Sequence, residues 1–136
     1  MGKAQRAKGA RFERTIARWY SKVVGREVRR QTDEPQGGNL GDIRVSLSNW
    51  VTLVTQAKHQ KSPSPWRAMQ EAEEAAATHS RSSGDDVRQY YIPVACIRRH
   101  GGEDLVCLRP VDFGRMVRAI MKQDHRPLQP HTWSDV

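Results

Sequence analysis

Two stretches separated by three residues fix most of what this chain can become. Asp42-Ile43-Arg44-Val45-Ser46-Leu47 alternates, with Ile43, Val45 and Leu47 on one face, and Val51–Lys58 is an apolar-rich run ending in Gln56-Ala57-Lys58. Alternation with a period of two marks a strand that turns one face to a core. Only Ser48-Asn49-Trp50 lies between them, enough for a tight turn, so the two strands are expected to pair antiparallel. A three-residue turn sets position 42 directly across from position 56, and a two-residue turn moves the match by one place. Side chains at i and i+2 share a face, so Gln56 and Lys58 project together and Asp42 converges on them at one sheet edge.

The rest of the chain builds around that hairpin. Phe12, Ile16, Trp19, Tyr20, Val23 and Val24 recur at helical spacing between Ala10 and Val24, with Arg11, Arg14, Arg18 and Lys22 on the other side. Gly25 suits the left-handed residue that ends a helix. Residues 1–9 are small and basic, and read as a mobile arm. Glu27–Thr32 reads as a first strand, and Asp33–Gly41 as a breaker-rich loop.

Downstream, Ser64 fits an N-cap and Pro65 the first position of a second helix running to about His79. Trp66 is expected to pack that helix on the sheet, and Gln70 to face either the site or solvent. Ser80–Asp86 reads as a loop, and Gln89–Arg98 and Asp104–Arg109 as strands joined at Gly101-Gly102. Asp112 is expected to cap a last helix whose Phe113, Met116, Val117 and Ile120 form one stripe. Residues 123–136 read as a loosely ordered tail. The expected order is therefore α-β-β-β-α-β-β-α, an α/β fold with a mixed sheet flanked by helices and one domain over 1–136.

Composition narrows the partners. The formal net charge is +8 and the pI near 10.1, with positives grouped at Lys3–Arg18, Arg26–Arg30 and Lys58–Lys61. Such grouping favours a polyanion, because Lys and Arg replace counterions along a phosphate backbone. No run of about 18 apolar residues spans a membrane and the N-terminus lacks an apolar signal centre, so a cytoplasmic protein is expected. A two-residue Gly101-Gly102 turn sets Cys96 opposite Cys107; free thiols are expected in a reducing compartment, and a disulfide would need an oxidising one. The five histidines show no metal-ligand spacing, and the loop Gly37-Gly38-Asn39-Leu40-Gly41 precedes a strand, which argues against a nucleotide cradle. Its glycines instead suggest close approach of a DNA backbone to Asp42.

An acidic residue opening one strand and a carboxylate-x-Lys triplet ending the next resembles the signature of the PD-(D/E)XK nuclease superfamily. Here Gly41-Asp42 and Gln56-Ala57-Lys58 carry it, with an amide in place of the second carboxylate. Gly9-Ala10-Arg11-Phe12-Glu13-Arg14 and Lys58-His59-Gln60-Lys61 are similar to motifs of archaeal-type and phage Holliday junction resolvases within it. The resemblance implies a restriction-endonuclease-like fold and a homodimer that hydrolyses phosphodiester bonds in branched DNA with Mg²⁺, which Mn²⁺ can replace. It implies a bacterial, archaeal or phage-infected cell.

Carried onto this sequence, the resemblance makes Glu13, Asp42, Gln56 and Lys58 the catalytic set. Asp42, Gln56, the Ala57 carbonyl and Glu13 would face the metal. Lys3, Arg6, Lys8, Arg11, Arg14, Arg29, Arg30, His59 and Lys61 would contact DNA. Another small phage or repair nuclease of the superfamily, or a degenerate member that binds without cutting, fits the same residues. The amide is compatible with a natural variant and with a deliberate Glu→Gln exchange. Restoring the carboxylate, Gln56→Glu, is expected to increase Mg²⁺-dependent cleavage.

Overall fold

A computed structural model describes residues 2–31, 41–82 and 89–121. Helix α1 (Lys3–Val24) leads into a hairpin of β1 (Ile43–Ser46) and β2 (Val51–Gln60). Helix α2 (Pro65–Ser82) crosses to β3 (Tyr90–Arg99), which turns into β4 (Asp104–Cys107) and then α3 (Pro110–Ile120). The four strands lie in the order β1-β2-β3-β4. β1 and β2 are antiparallel, β2 and β3 parallel, and β3 and β4 antiparallel. The mixed sheet and its flanking helices are thus as expected. No described helix is long and apolar enough to cross a membrane.

Both faces of the sheet are covered. Ile43, Val45, Val51, Leu53, Ala57, Ile92, Val94 and Cys96 pack with Phe12, Ala17 and Tyr20 of α1. On the opposite face Val54 meets Ala75 and Ala76, while Ala95 and Ile97 meet Ala68 and Met69. The alanines let α2 lie close to the strands, and its start has a clear cause. Ser64 Oγ accepts the Arg67 N–H at 3.2 Å, satisfying one donor of the first turn, and Pro65 needs no acceptor there. The core holds a polar link, Tyr20 Oη to Thr55 Oγ1 at 2.9 Å; burial pushes the Tyr20 phenol far up, so it stays protonated.

Several expectations are corrected. Residues 3–9 are the first turns of α1, not an arm, because Gln5 and Arg6 N–H already bond the Gly2 carbonyl. The expected first strand is not formed by its described residues: 27–31 make the Arg30–Ile43 bridge, with Gln31 N–H bonding the Asp42 carbonyl at 2.8 Å. Val28 is the single buried apolar side chain there, too little to hold a strand. Helix α2 continues to Ser82, absorbing the start of the expected loop. Asp112 sits inside α3, bonded to Arg115 at 3.0 Å, and Arg109 takes the N-cap position.

The β3–β4 turn is one residue longer than expected. Arg99 N–H bonds the Glu103 carbonyl, leaving His100, Gly101 and Gly102 between them. A shift of one place flips a side chain to the other face. Cys96 therefore faces Val106 and Cys107 faces Ala95, and both thiols are free. Trp66 is 71% exposed, with the Arg109 guanidinium over its ring at 5.5 Å, and Gln70 faces solvent. The α3 stripe divides: Met116 packs on the core, but Phe113, Val117 and Ile120 are exposed. Thr32, residues 33–40 of the expected loop, the rest of the expected 80–86 loop and the expected tail lie outside the described residues.

Candidate functional site

The hairpin turn has the three residues that align Asp42 with Gln56. Observed pairs run Ile43–Thr55, Arg44–Val54 and Val45–Leu53, and the register continued by one place sets Asp42 against Gln56; the Asp42 N–H bonds the Thr55 carbonyl at 2.9 Å. One residue earlier the backbone bends sharply at Gly41, with φ +80°. A Cβ at Gly41 would come within 2.9 Å of Val54 Cγ1, so both the conformation and the space require glycine. Packing against β2 is therefore a reason for this glycine. Gly37 and Gly38 lie outside the described residues.

Asp42 stands where β1 has ended and β2 continues. Its Oδ2 accepts the Ala57 N–H at 2.8 Å, taking the place of a strand neighbour. A residue's N–H and C=O point to the same side of a strand, so the Ala57 carbonyl also points toward Asp42. Burial pushes the Asp42 carboxyl up to about 6, the Glu13 and Glu71 carboxylates add to the rise, and the Ala57 N–H and Lys58 oppose it. An acid placed where ionisation is costly is a common mark of a working site.

Gln56 and Lys58 share the α2 face, as strand parity requires. There they meet a residue the sequence did not announce. Glu71, on the second turn of α2, accepts from Lys58 Nζ at 2.5 Å and from Gln56 Nε2 at 3.4 Å. The lysine thus has an anionic neighbour, supplied by the helix instead of by its own strand. The Gln56 amide is oriented by the same carboxylate, which leaves its Oε1 buried with no hydrogen-bond partner among the described residues. A buried acceptor without a donor costs about 1–3 kcal/mol, a reason to look for what would satisfy it.

Glu13 reaches the neighbourhood from α1, on the other face. It is held by Arg30 at 2.8 Å, both side chains about four-fifths buried (22% and 18% exposed). Its charge is felt at Asp42, and its Oε2 accepts from the Arg30 guanidinium. No three His, Cys, Asp or Glu side chains among the described residues converge as a ready metal cage. A cation here would rely on the Asp42 carboxylate, the orphaned Gln56 oxygen, the Ala57 carbonyl and water. That is an all-oxygen set of the kind a hard divalent ion accepts.

One cleft of about 480 Å³ joins these groups, lined by Glu13, Arg30, Asp42, Gln56, Ala57 and Lys58 together with Arg6, Lys8, His59 and Lys61. Nine expected nucleic-acid contacts therefore divide: Arg6, Lys8, Arg30, His59 and Lys61 face the cleft, whereas Lys3, Arg11, Arg14 and Arg29 do not. Arg11 and Arg14 lie exposed on α1, and Arg29 pairs with Glu27 at 2.9 Å. His59 is held below the usual imidazole range by partial desolvation and by Lys8, His100 and Arg98 nearby. His100, at the β3–β4 turn, also lines the cleft and was not foreseen. Comparison with protein-family models, curated proteins and solved structures finds no match for this chain.

Proposed function

We propose that this chain is a metal-dependent DNA endonuclease of the PD-(D/E)XK type, acting on branched DNA as a homodimer in the manner of Holliday junction resolvases. The observation that carries the proposal is the convergence of Asp42, Gln56 and Lys58 in one basic cleft at the end of the β1–β2 hairpin. The helix–hairpin–helix–strand succession and the sheet covered on both faces support the same reading.

Mg²⁺ or Mn²⁺, when bound, would supply Lewis-acid activation and charge neutralisation at the phosphate. Asp42, Gln56 Oε1 and the Ala57 carbonyl would hold it. Lys58, kept in the cleft wall by Glu71, would donate a hydrogen bond to the charge that develops on the phosphoryl oxygens. Asp42, fixed by the Ala57 N–H, keeps its carboxylate at the strand end. Glu13 is a charge near the site, its Oε2 held by Arg30. Arg6, Lys8 and Lys61 would draw the backbone into the cleft.

A panel of four-way junction, flap, single-stranded and linear duplex DNA, incubated with Mg²⁺ or Mn²⁺, tests the proposal. Cleavage of the junction that disappears in Asp42→Ala supports it; loss of the nuclease reading follows if no substrate is cut by this chain or by Gln56→Glu. The engaged state of Glu13 and the amide at Gln56 favour a second reading, a member that binds nucleic acid without cutting. Binding that persists in EDTA, with no cleavage by either version of position 56, would select it.

A further inference from the structure

Lys8 Nζ and His100 Nε2 lie 2.9 Å apart, bridging α1 to the β3–β4 turn across 92 positions. The ammonium can only donate, so the imidazole must accept at Nε2 and carry its proton on Nδ1. No carboxylate pairs with Lys8 among the described residues. Other cations among the described residues are held by acids: Arg30 by Glu13, Arg98 by Asp104, Arg109 by Glu73. Lys8 is held by a neutral acceptor. An imidazole fixes the ammonium without cancelling its charge, and leaves two of its three N–H donors free.

The imidazole is itself positioned by a packed series. The Arg98 guanidinium lies 4.8 Å over the Phe12 ring and is locked to Asp104 by two bonds of 2.7 and 2.8 Å. Phe12 meets His59 edge-on at 5.7 Å, and His59 meets His100 edge-on at 5.4 Å. The His100 N–H bonds the Gln60 carbonyl at 3.1 Å, pinning the turn to the end of β2. Gln60 is two residues past Lys58, or about 7 Å along the strand. The Lys8–His100 pair therefore sits in the cleft beyond Lys58, with Gln5, Arg6 and Lys61 also lining it.

We infer that Lys8 and His100 form a subsite for a backbone phosphate of a nucleic acid strand, one that neighbours the phosphate at Asp42 and Lys58. Lys8 makes the contact, and His100 is a positioning residue that presents it. The inference rests on the nucleic-acid reading of the cleft but not on cleavage. A purely mechanical staple between α1 and the turn would be the ordinary role for such a bond. It would show in thermal stability and leave the salt dependence of binding alone.

The test measures binding of a labelled DNA oligonucleotide in EDTA over a series of salt concentrations. Lys8→Ala is expected to weaken binding about tenfold and to reduce the salt slope by about one. His100→Ala is expected to weaken it about threefold. His100→Gln, which keeps an acceptor for Lys8, should stay near the parent. The double variant Lys8→Ala/His100→Ala should bind no more weakly than Lys8→Ala alone, since His100 acts through Lys8. Unchanged affinity and slope in either single alanine variant, or additive losses in the double, would overturn the inference. Inorganic phosphate gives a second readout: it should shift the His100 imidazole resonances in the parent and not in Lys8→Ala. If no DNA is cut with any metal but these binding effects persist, the nuclease reading fails and the subsite stands. If cleavage occurs and these variants leave binding and KM unaltered, only the subsite falls.

Discussion

Gln56 Nε2 and Glu71 Oε2 meet at 3.4 Å, so the amide on β2 faces a carboxylate on α2 instead of replacing one in isolation. The pairing is chemically matched: an amide can donate to Glu71, whereas a second carboxylate at the same place could not. Lys58 completes the group at 2.5 Å from the same oxygen. The negative charge that the Gln-x-Lys triplet lacks is therefore present, displaced by one element.

Removing that charge should be felt twice. Glu71→Gln keeps an oxygen acceptor but removes the negative charge that Lys58 and the Gln56 amide share, at a cost of about 1 kcal/mol for a partly exposed pair. It should also lower cleavage on the order of 10²-fold, the usual scale for losing one preorganised polar contact. Denaturant melts and single-turnover cleavage of a junction check the two effects separately. Unchanged cleavage in Glu71→Gln would show that the helix carboxylate has no part in the chemistry.

The converse substitution separates stability from activity. Gln56→Glu puts two carboxylates about 3.4 Å apart beside a third acid, Asp42, and like charges so placed resist joint ionisation. The variant should melt below the parent in EDTA and recover in Mg²⁺, while its Mg²⁺-dependent cleavage rises above the parent's. Calorimetry with and without the metal reads the first effect, and the cleavage rate the second. A melting loss that Mg²⁺ does not reverse would mean that no cation is shared at this position.

How much of this could be read in advance depended on whether the deciding contacts were local. The Asp42–Gln56 alignment follows from a three-residue turn and strand parity, and Ser64-Pro65 announces α2 by capping chemistry alone. Glu71 was invisible for the opposite reason. Its role depends on how α2 rotates against β2, which the packing of Ala68, Ala72 and Ala75 sets and no short motif records. The Cys96–Cys107 pairing failed on a single residue of turn length, and residues 27–31 failed as a strand because one buried valine cannot fix a register. His100 escaped notice because only the lengthened turn brings it to Lys8.

Asp42 gives a pH test with a definite sign. Its carboxyl is raised from 3.8 to about 6 in the fold, first by burial, so the ionised form opposes folding. The folded state is favoured below the unfolded value, near pH 4, and loses that advantage as pH rises through about 6. The full difference is on the order of 3 kcal/mol, since each unit is worth about 1.4. Asp42→Asn keeps an acceptor for the Ala57 N–H and removes the charge. Without divalent cations it should match the parent near pH 4, exceed it increasingly up to about pH 6, and hold a constant advantage above. Chemical denaturation across that range checks the curve, and an advantage independent of pH would show that burial of the charge is not the cause.

Gly41 tests whether the strand entry holds the site. At φ +80°, with Val54 Cγ1 only 2.9 Å from where a Cβ would lie, even alanine brings both backbone strain and a clash with a fully buried side chain. Gly41→Ala should cost about 1–3 kcal/mol, the range for a residue forced into the left-handed region. Part of the relief will come from moving the segment that carries Asp42, so the Ala57 N–H should lose its acceptor. Amide exchange at Ala57 should then accelerate well beyond that at Leu53, deeper in the same strand. Equal acceleration at both would indicate general loosening of β2 and no specific hold of Gly41 on Asp42.

The proposed homodimer needs a face, and α3 offers one. Phe113, Val117 and Ile120 follow one another at helical spacing with half, two-fifths and three-quarters of their surface exposed. Met116 and Ala119, pointing inward, already anchor the helix on the core, so the outward stripe is not required for its packing. Two copies meeting through it would cover apolar surface that is exposed among the described residues of one copy, at about 25 cal/mol per Å² buried. Sedimentation at micromolar concentration should give a dimer for the parent and a monomer for Phe113→Asp/Ile120→Asp, with the melting of the monomer little changed. A dimer that survives the double substitution would exclude this stripe as the contact. A parent that sediments as a monomer with DNA bound would remove the homodimer from the proposal.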